Sequence, residues 1–79
     1  MNQRAKSLDL NGVPCPANAA RAILTLEGLS PGELLSIGLD DGEPIENVPP
    51  ALEEQGHSVV VKERDQGGWR LLVRRRDAP

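Results

Sequence analysis

Apolar and polar residues alternate at Leu8-Asp9-Leu10, which predicts a short first strand with both leucines on one face. From Pro16 to Glu27 the chain is rich in Ala and Leu, with no internal glycine or proline, and predicts the first helix. Its expected apolar face is Ala19, Ala20, Ile23, Leu24 and Leu26, with Gly28 as a natural C-cap. Ser30-Pro31-Gly32 is a turn. Leu34 to Leu39 then reads as a second strand, with Leu35, Ile37 and Leu39 on one face. Val59-Val60-Val61 and Trp69 to Val73 read as the last two strands, joined by the hairpin residues Asp65-Gln66-Gly67-Gly68.

The segment between the second and third strands is less regular. Asn47 is suited to cap a short helix with Pro49 and Pro50 in its first turn, running to Gln55 and closed by Gly56. A start at Pro44 would leave two prolines mid-helix, where they kink it. The predicted order is β-α-β-α-β-β. Two helices on one face of a four-stranded mixed sheet bury these apolar faces most economically, giving an α+β, two-layer α/β sandwich. The crossovers are expected to place neighbouring strands parallel, with the final pair antiparallel. Residues 1–79 are expected to form a single domain, with 1–6 and 76–79 as flexible tails.

Length and charge then narrow the classes. Seventy-nine residues lie near the lower limit for a core that holds a fold without staples. One cysteine allows no internal disulfide, and one cysteine with one histidine makes no metal site. Gly67-Gly68 links strands and opens no helix, so no phosphate loop and no cofactor are expected. No apolar run is long enough for a bilayer and no signal peptide is apparent, so the expectation is a cytoplasmic protein with a reduced thiol. A net charge of −3, with neither Phe nor Tyr, argues against direct nucleic-acid binding. Acidic residues concentrate from Asp40 to Glu54, while Arg70, Arg74, Arg75 and Arg76 crowd the C-terminal end. Those arginines read as a solvated strand edge and tail in preference to a docking patch.

The candidate chemistry is Cys15, set between Pro14 and Pro16 where an extended segment hands over to the first helix. Proline at the first helical position loses no hydrogen bond. A thiol there faces unpaired backbone N–H groups around Pro16, Ala17 and Asn18 and the positive end of the helix dipole, which favour its thiolate. The bland alternative is a buried, inert cysteine. Asp9 either orients the loop through its carboxylate or is an outward strand residue, the latter being preferred. Asp40 and Asp41 read as turn residues rather than a cation site. His57 reads as surface or strand edge, and Trp69 as core packing.

The run Leu8-Asp9-Leu10-Asn11-Gly12-Val13-Pro14-Cys15-Pro16 resembles the Leu-Asp-x-x-Gly-x-x-Cys-Pro opening of the TusA-like (SirA-like) sulfur-carrier family. Ser30-Pro31-Gly32-Glu33, Asp40-Asp41 and Asn47-Val48-Pro49 resemble that family's later turn, acidic pair and Asp-Ile-Pro step, at consistent spacing. The resemblance implies a sandwich like the C-terminal domain of translation initiation factor three. It also implies that Cys15 is the sulfur-accepting cysteine, with Gly12 in its loop. The partners implied are a sulfur-donor protein (cysteine desulfurase or rhodanese type) and a sulfur-acceptor protein, without which the carrier does not turn over; a transient carrier of this kind is expected to need no more than a monomer. Two positions depart from the pattern. Asn18 replaces the second proline of Cys-Pro-x-Pro, which leaves its N–H available to an anion, and Ile23 and Leu24 stand where the family often carries a cation. The alternative is a regulatory or interaction module that keeps the fold without the relay. RNA contact through Arg70 and Arg74 to Arg76 is a weaker third reading.

Overall fold

The computed structural model describes residues 6–77. The elements are β1 (Lys6–Asp9), α1 (Ala17–Glu27), β2 (Leu34–Asp40), α2 (Glu43–Glu54), β3 (Ser58–Asp65) and β4 (Gly68–Arg74). They form a four-stranded mixed sheet with two helices packed side by side, the α+β sandwich that the hydrophobic pattern implied. Leu35, Ile37 and Leu39 of β2, with Leu71 and Val73 of β4, meet Ala22, Leu26, Val48 and Leu52 of the helices, all fully buried. Burying one such aliphatic side chain stabilises by about 1.5–3 kcal/mol, so this single layer carries the fold.

Strand order differs from the expected neighbour-to-neighbour arrangement. β1 and β2 are parallel, but β4 lies between β2 and β3, giving the order β1-β2-β4-β3. The β3–β4 hairpin could join β2 through either strand. Joining through β4 pairs Leu35 with Val73, Ile37 with Leu71 and Leu39 with Trp69. It leaves Lys62, Glu63 and Arg64 on an edge, where charge guards against further strand addition. Gly68 is required at this seam: a Cβ there would lie 2.6 Å from the Leu39 carbonyl oxygen.

Both helices also depart from expectation. α1 starts at Ala17 with Pro16 as its N-cap, and it buries Asn18, Ala22 and Leu26. Ala20 and Leu24, expected on its apolar face, point outward. Helix α2 begins at Glu43, so Pro49 and Pro50 fall inside it. Each internal proline removes a hydrogen bond and costs about 3 kcal/mol. Ile45, Val48, Pro49 and Leu52, all buried on one face, offset that loss.

The chain after β4 is a strap. Lys6 and Arg76, expected in the tails, are a strand residue and a hydrogen-bonded one; residues 1–5 and 78–79 lie outside the described residues. Arg75, expected to be solvated, is buried and donates from Nε to the Leu26 carbonyl (2.9 Å), at the negative end of α1. Arg76 donates to the Gln55 carbonyl (3.0 Å), and both guanidinium groups reach Glu27 Oε1 at 3.5 and 3.4 Å. Among the four C-terminal arginines Arg70 and Arg74 keep the expected exposure, Arg70 also donating to Asp65 and Ser36. His57, expected at the surface, is buried; its Nδ1 accepts the Arg76 N–H (3.0 Å) and its Nε2 lies 3.3 Å from Glu27. The strap runs past the start of β3 and covers the ring.

Burial pushes the His57 pKa below the ordinary value; Glu27 opposes this shift, and Arg76 and Arg75 add to it. The unfolded chain therefore binds the proton more readily. Stability from this group is complete above the ordinary histidine pKa of about 6.5 and is lost as pH falls through the lower folded value. Urea midpoints should fall between about pH 7 and 5 in the wild type and less steeply in His57→Gln. Equal slopes would contradict the buried neutral imidazole.

Candidate functional site

The parallel strands β1 and β2 end side by side, and the Cys15 loop is hung from both ends. Leu10 extends the pairing by donating its N–H to the Gly38 carbonyl (2.9 Å), and the Val13 N–H returns to the Leu10 carbonyl. At the end of β1, Asp9 Oδ1 accepts the backbone N–H of Asn11 (2.9 Å) and its side-chain amide (2.7 Å). These two bonds, the backbone one foremost, hold the Asp9 carboxyl below its ordinary pKa, with a smaller contribution from Arg70. Asp9 is exposed, as the preferred outward reading had it, and its carboxylate also holds Asn11 at the head of the loop. At the end of β2, Asp40 Oδ2 accepts the N–H of Gly12 at 2.7 Å. Gly38 lets the loop settle onto the sheet, because a Cβ there would come within 3.2 Å of the Asn11 amide nitrogen.

Cys15 is exposed, in an open hollow of about 340 Å³ lined by Gly12, Pro14, Asp40, Asp41, Glu43 and Pro44. The bland alternative of a buried thiol does not hold. The helix-start donors, however, are largely spent. Asn18 gives its N–H to the Pro14 carbonyl (3.0 Å), so the opening expected from the lost proline is closed. Ala19 donates to Asn18 Oδ1 (2.6 Å) and Ala20 to the Pro16 carbonyl (3.1 Å). Only the Ala17 N–H in this first turn has no acceptor among the described residues. The Asn18 side chain is buried, with Nδ2 unpartnered.

The donor to sulfur comes from the other helix. Asn47 Nδ2 lies 3.9 Å from Cys15 Sγ and donates to it. Sequence reasoning missed this residue because reading Pro49-Pro50 as a first turn made Asn47 a helix cap. With the start at Glu43, Asn47 stands one turn further on and points outward. The helical spacing of the buried Ile45, Val48 and Leu52 was the signal that could have found it.

Asp41 and Trp69 buttress the site from the side. The indole N–H donates to Asp41 Oδ1 (2.8 Å), and Arg64 pairs with the same carboxylate at 3.3 Å. The indole bond first, then the Gly42 N–H and Arg64, lower the Asp41 pKa. Half-buried Trp69 packs on the core and carries Lys62 and Arg64 over its ring. A larger groove of about 700 Å³ runs between α2 and β3 above it, sharing Asp41 with the Cys15 hollow. His57 takes no part: its partners lie at the opposite end of α1. No cluster of three metal-ligating side chains occurs among the described residues, and none of their helices is long and apolar enough to cross a membrane.

The family model described as sulfurtransferase TusA matches residues 6–75. The chain belongs to this TusA family. Relatives named "Putative sulfur carrier protein" are found in Archaeoglobus fulgidus, 29% identical over 96% of this chain and 97% of the other, and in Methanocaldococcus jannaschii, 30% identical over 89% and 93%. Among solved structures, a SirA-like protein of Desulfitobacterium hafniense superposes with a TM-score of 0.73 at 22% identity, over 90% of this chain and 97% of the other. A Helicobacter pylori protein solved in solution does so with a TM-score of 0.73 at 23% identity, over 92% and 99%. These two establish the fold.

In this TusA-family chain Cys15 is thus held from β1 and β2 and touched from α2. Replacing Asn47 by Leu should slow alkylation of Cys15 by iodoacetamide roughly two- to tenfold, the range of one net hydrogen bond. An unchanged rate would show that the amide does not support the sulfur.

Proposed function

We propose that the protein is a sulfur carrier that accepts sulfane sulfur as a persulfide on Cys15 and passes it to an acceptor protein. The observation that carries this reading is the exposed cysteine, alone in the chain, tethered at the mouth of a hollow with an amide donor at its sulfur. Membership of the TusA family and the names of its relatives support the same role.

In the loading step the Cys15 thiolate attacks the outer sulfur of a donor protein's persulfide. A bond forms between Cys15 Sγ and that sulfur, the donor's S–S bond breaks, and the donor cysteine leaves as its thiolate. The transferred sulfur keeps its oxidation level, so no outside oxidant or reductant enters. Delivery repeats the exchange, with the acceptor thiolate attacking and Cys15 leaving. The absence of a second cysteine removes the competing internal disulfide. Asn47 solvates the sulfur anion in this reading, with Asp9 and Asp40 fixing the loop. The donor is a protein of cysteine desulfurase or rhodanese type.

Incubation with a persulfide donor should add one sulfur to the wild type by mass spectrometry and none to Cys15→Ser. An unmodified wild type would refute the relay. Should Cys15→Ala keep the cellular role intact, the protein would be an interaction module instead.

A further inference from the structure

The chain's negative charge is not spread over its surface. Helix α2 holds Glu43, Glu46, Glu53 and Glu54 with no Lys or Arg, so it carries −4 while the remaining chain sums to +1. All four carboxylates are exposed, and none takes part in an ion pair among the described residues. Of the eight carboxylates elsewhere, Glu27, Glu33, Asp41 and Asp65 each face a cation, and Asp9, Asp40, Glu63 and Asp77, scattered along the chain, form no ion pair among the described residues. The unneutralised charge borders the thiol directly. Glu43 lines the Cys15 hollow, and Asn47 of the same helix touches the sulfur.

Beside it, α1 offers an apolar stripe. Pro14, Pro16, Ala17, Ala20 and Leu24 are exposed in succession from the thiol along the helix. Leu24 is 73% exposed, the most of any large apolar side chain described, and stands about 10 Å up the axis from Ala17. A single exposed leucine is unremarkable. Leu24 instead continues an apolar run that begins at the exposed thiol. The two helices pack against each other and both present exposed side chains on the outer face of the helix layer, Glu43 beside the thiol and Glu46 and Glu53 along the groove between α2 and β3.

Resting on the carrier reading above, we infer that this outer face is the docking surface for the sulfur-exchanging partner. That partner is a protein presenting an apolar seat for the α1 stripe, bordered by lysine or arginine side chains opposite α2. Glu43 beside the thiol and three further uncompensated carboxylates along the same helix repel an acidic surface and speed encounter with a basic one. Arg21, the one cation of α1, leaves the face strongly negative.

The test uses two synthetic peptides with the same leucine-containing core and one cysteine activated as its thionitrobenzoate disulfide. Lysines flank the core in one and glutamates in the other. Cys15 attacks the peptide sulfur, joins it, and releases the coloured thionitrobenzoate thiolate. At about 20 mM salt the lysine peptide should react at least ~10-fold faster, and the ratio should shrink to under ~2-fold near 0.5 M. Glu43→Lys with Glu46→Lys should abolish or invert the preference, and Leu24→Ser should slow the lysine peptide without altering alkylation by neutral iodoacetamide. Equal wild-type rates at low salt, or a preference untouched by the double charge reversal, would overturn the inference. Persulfide loading from a small-molecule donor, which needs no docking surface, reports separately on the carrier reading.

Discussion

The carboxylate of Asp40 holding the N–H of Gly12 at 2.7 Å is the contact on which the site depends. It joins the end of β2 to a loop whose other anchor is Asp9 at the end of β1, so two adjacent parallel strands share one load. The strands are fixed by what lies beneath them: β4 inserted beside β2 brings Leu71 and Val73 against Leu35 and Ile37 and seals the core. A thiol on a free loop would spend conformational entropy at each encounter. Here the sheet has already met that cost.

The electrostatics of the site come from two helices. A thiol ahead of α1 would gain most from open N–H groups in the first turn, yet Asn18, Ala19 and Ala20 direct theirs to acceptors within the chain. The donor that reaches the sulfur among the described residues is the Asn47 amide of α2. Sulfur support therefore depends on how α2 sits, and α2 is placed by Ile45, Val48 and Leu52 against the sheet. At the far end of the layer Arg75 caps α1, and the Arg76 N–H on His57 Nδ1 ties the strap to the start of β3. Core packing, helix placement and thiol environment are thus one mechanical problem.

Periodicity was a good guide in the strands, where alternation sets each residue's surroundings, but on α1 it put the exposed Ala20 and Leu24 on the buried face. The alternation of Leu35, Ile37 and Leu39 identified β2 and its buried face, and the Cys15 turn was visible from its prolines. It failed where a distant partner decides. Nothing local says that β4 rather than β3 pairs with β2, or that Arg75 and Arg76 fold back to cover His57. The prolines misled for a physical reason. Their intrinsic cost argues for a helix start at Asn47, and only tertiary burial of Ile45 and Pro49 extends the helix back to Glu43. That one misplaced boundary concealed the residue that touches the sulfur.

Amide hydrogen exchange at Gly12, compared between the wild type and Asp40→Ala, examines the tether most directly. The account predicts a Gly12 N–H exchanging at least ~10-fold slower than an unprotected amide, with that protection lost in the variant while the β2 and β4 amides keep theirs. Unprotected exchange at Gly12 in the wild type, or protection that survives removal of the carboxylate, would contradict it.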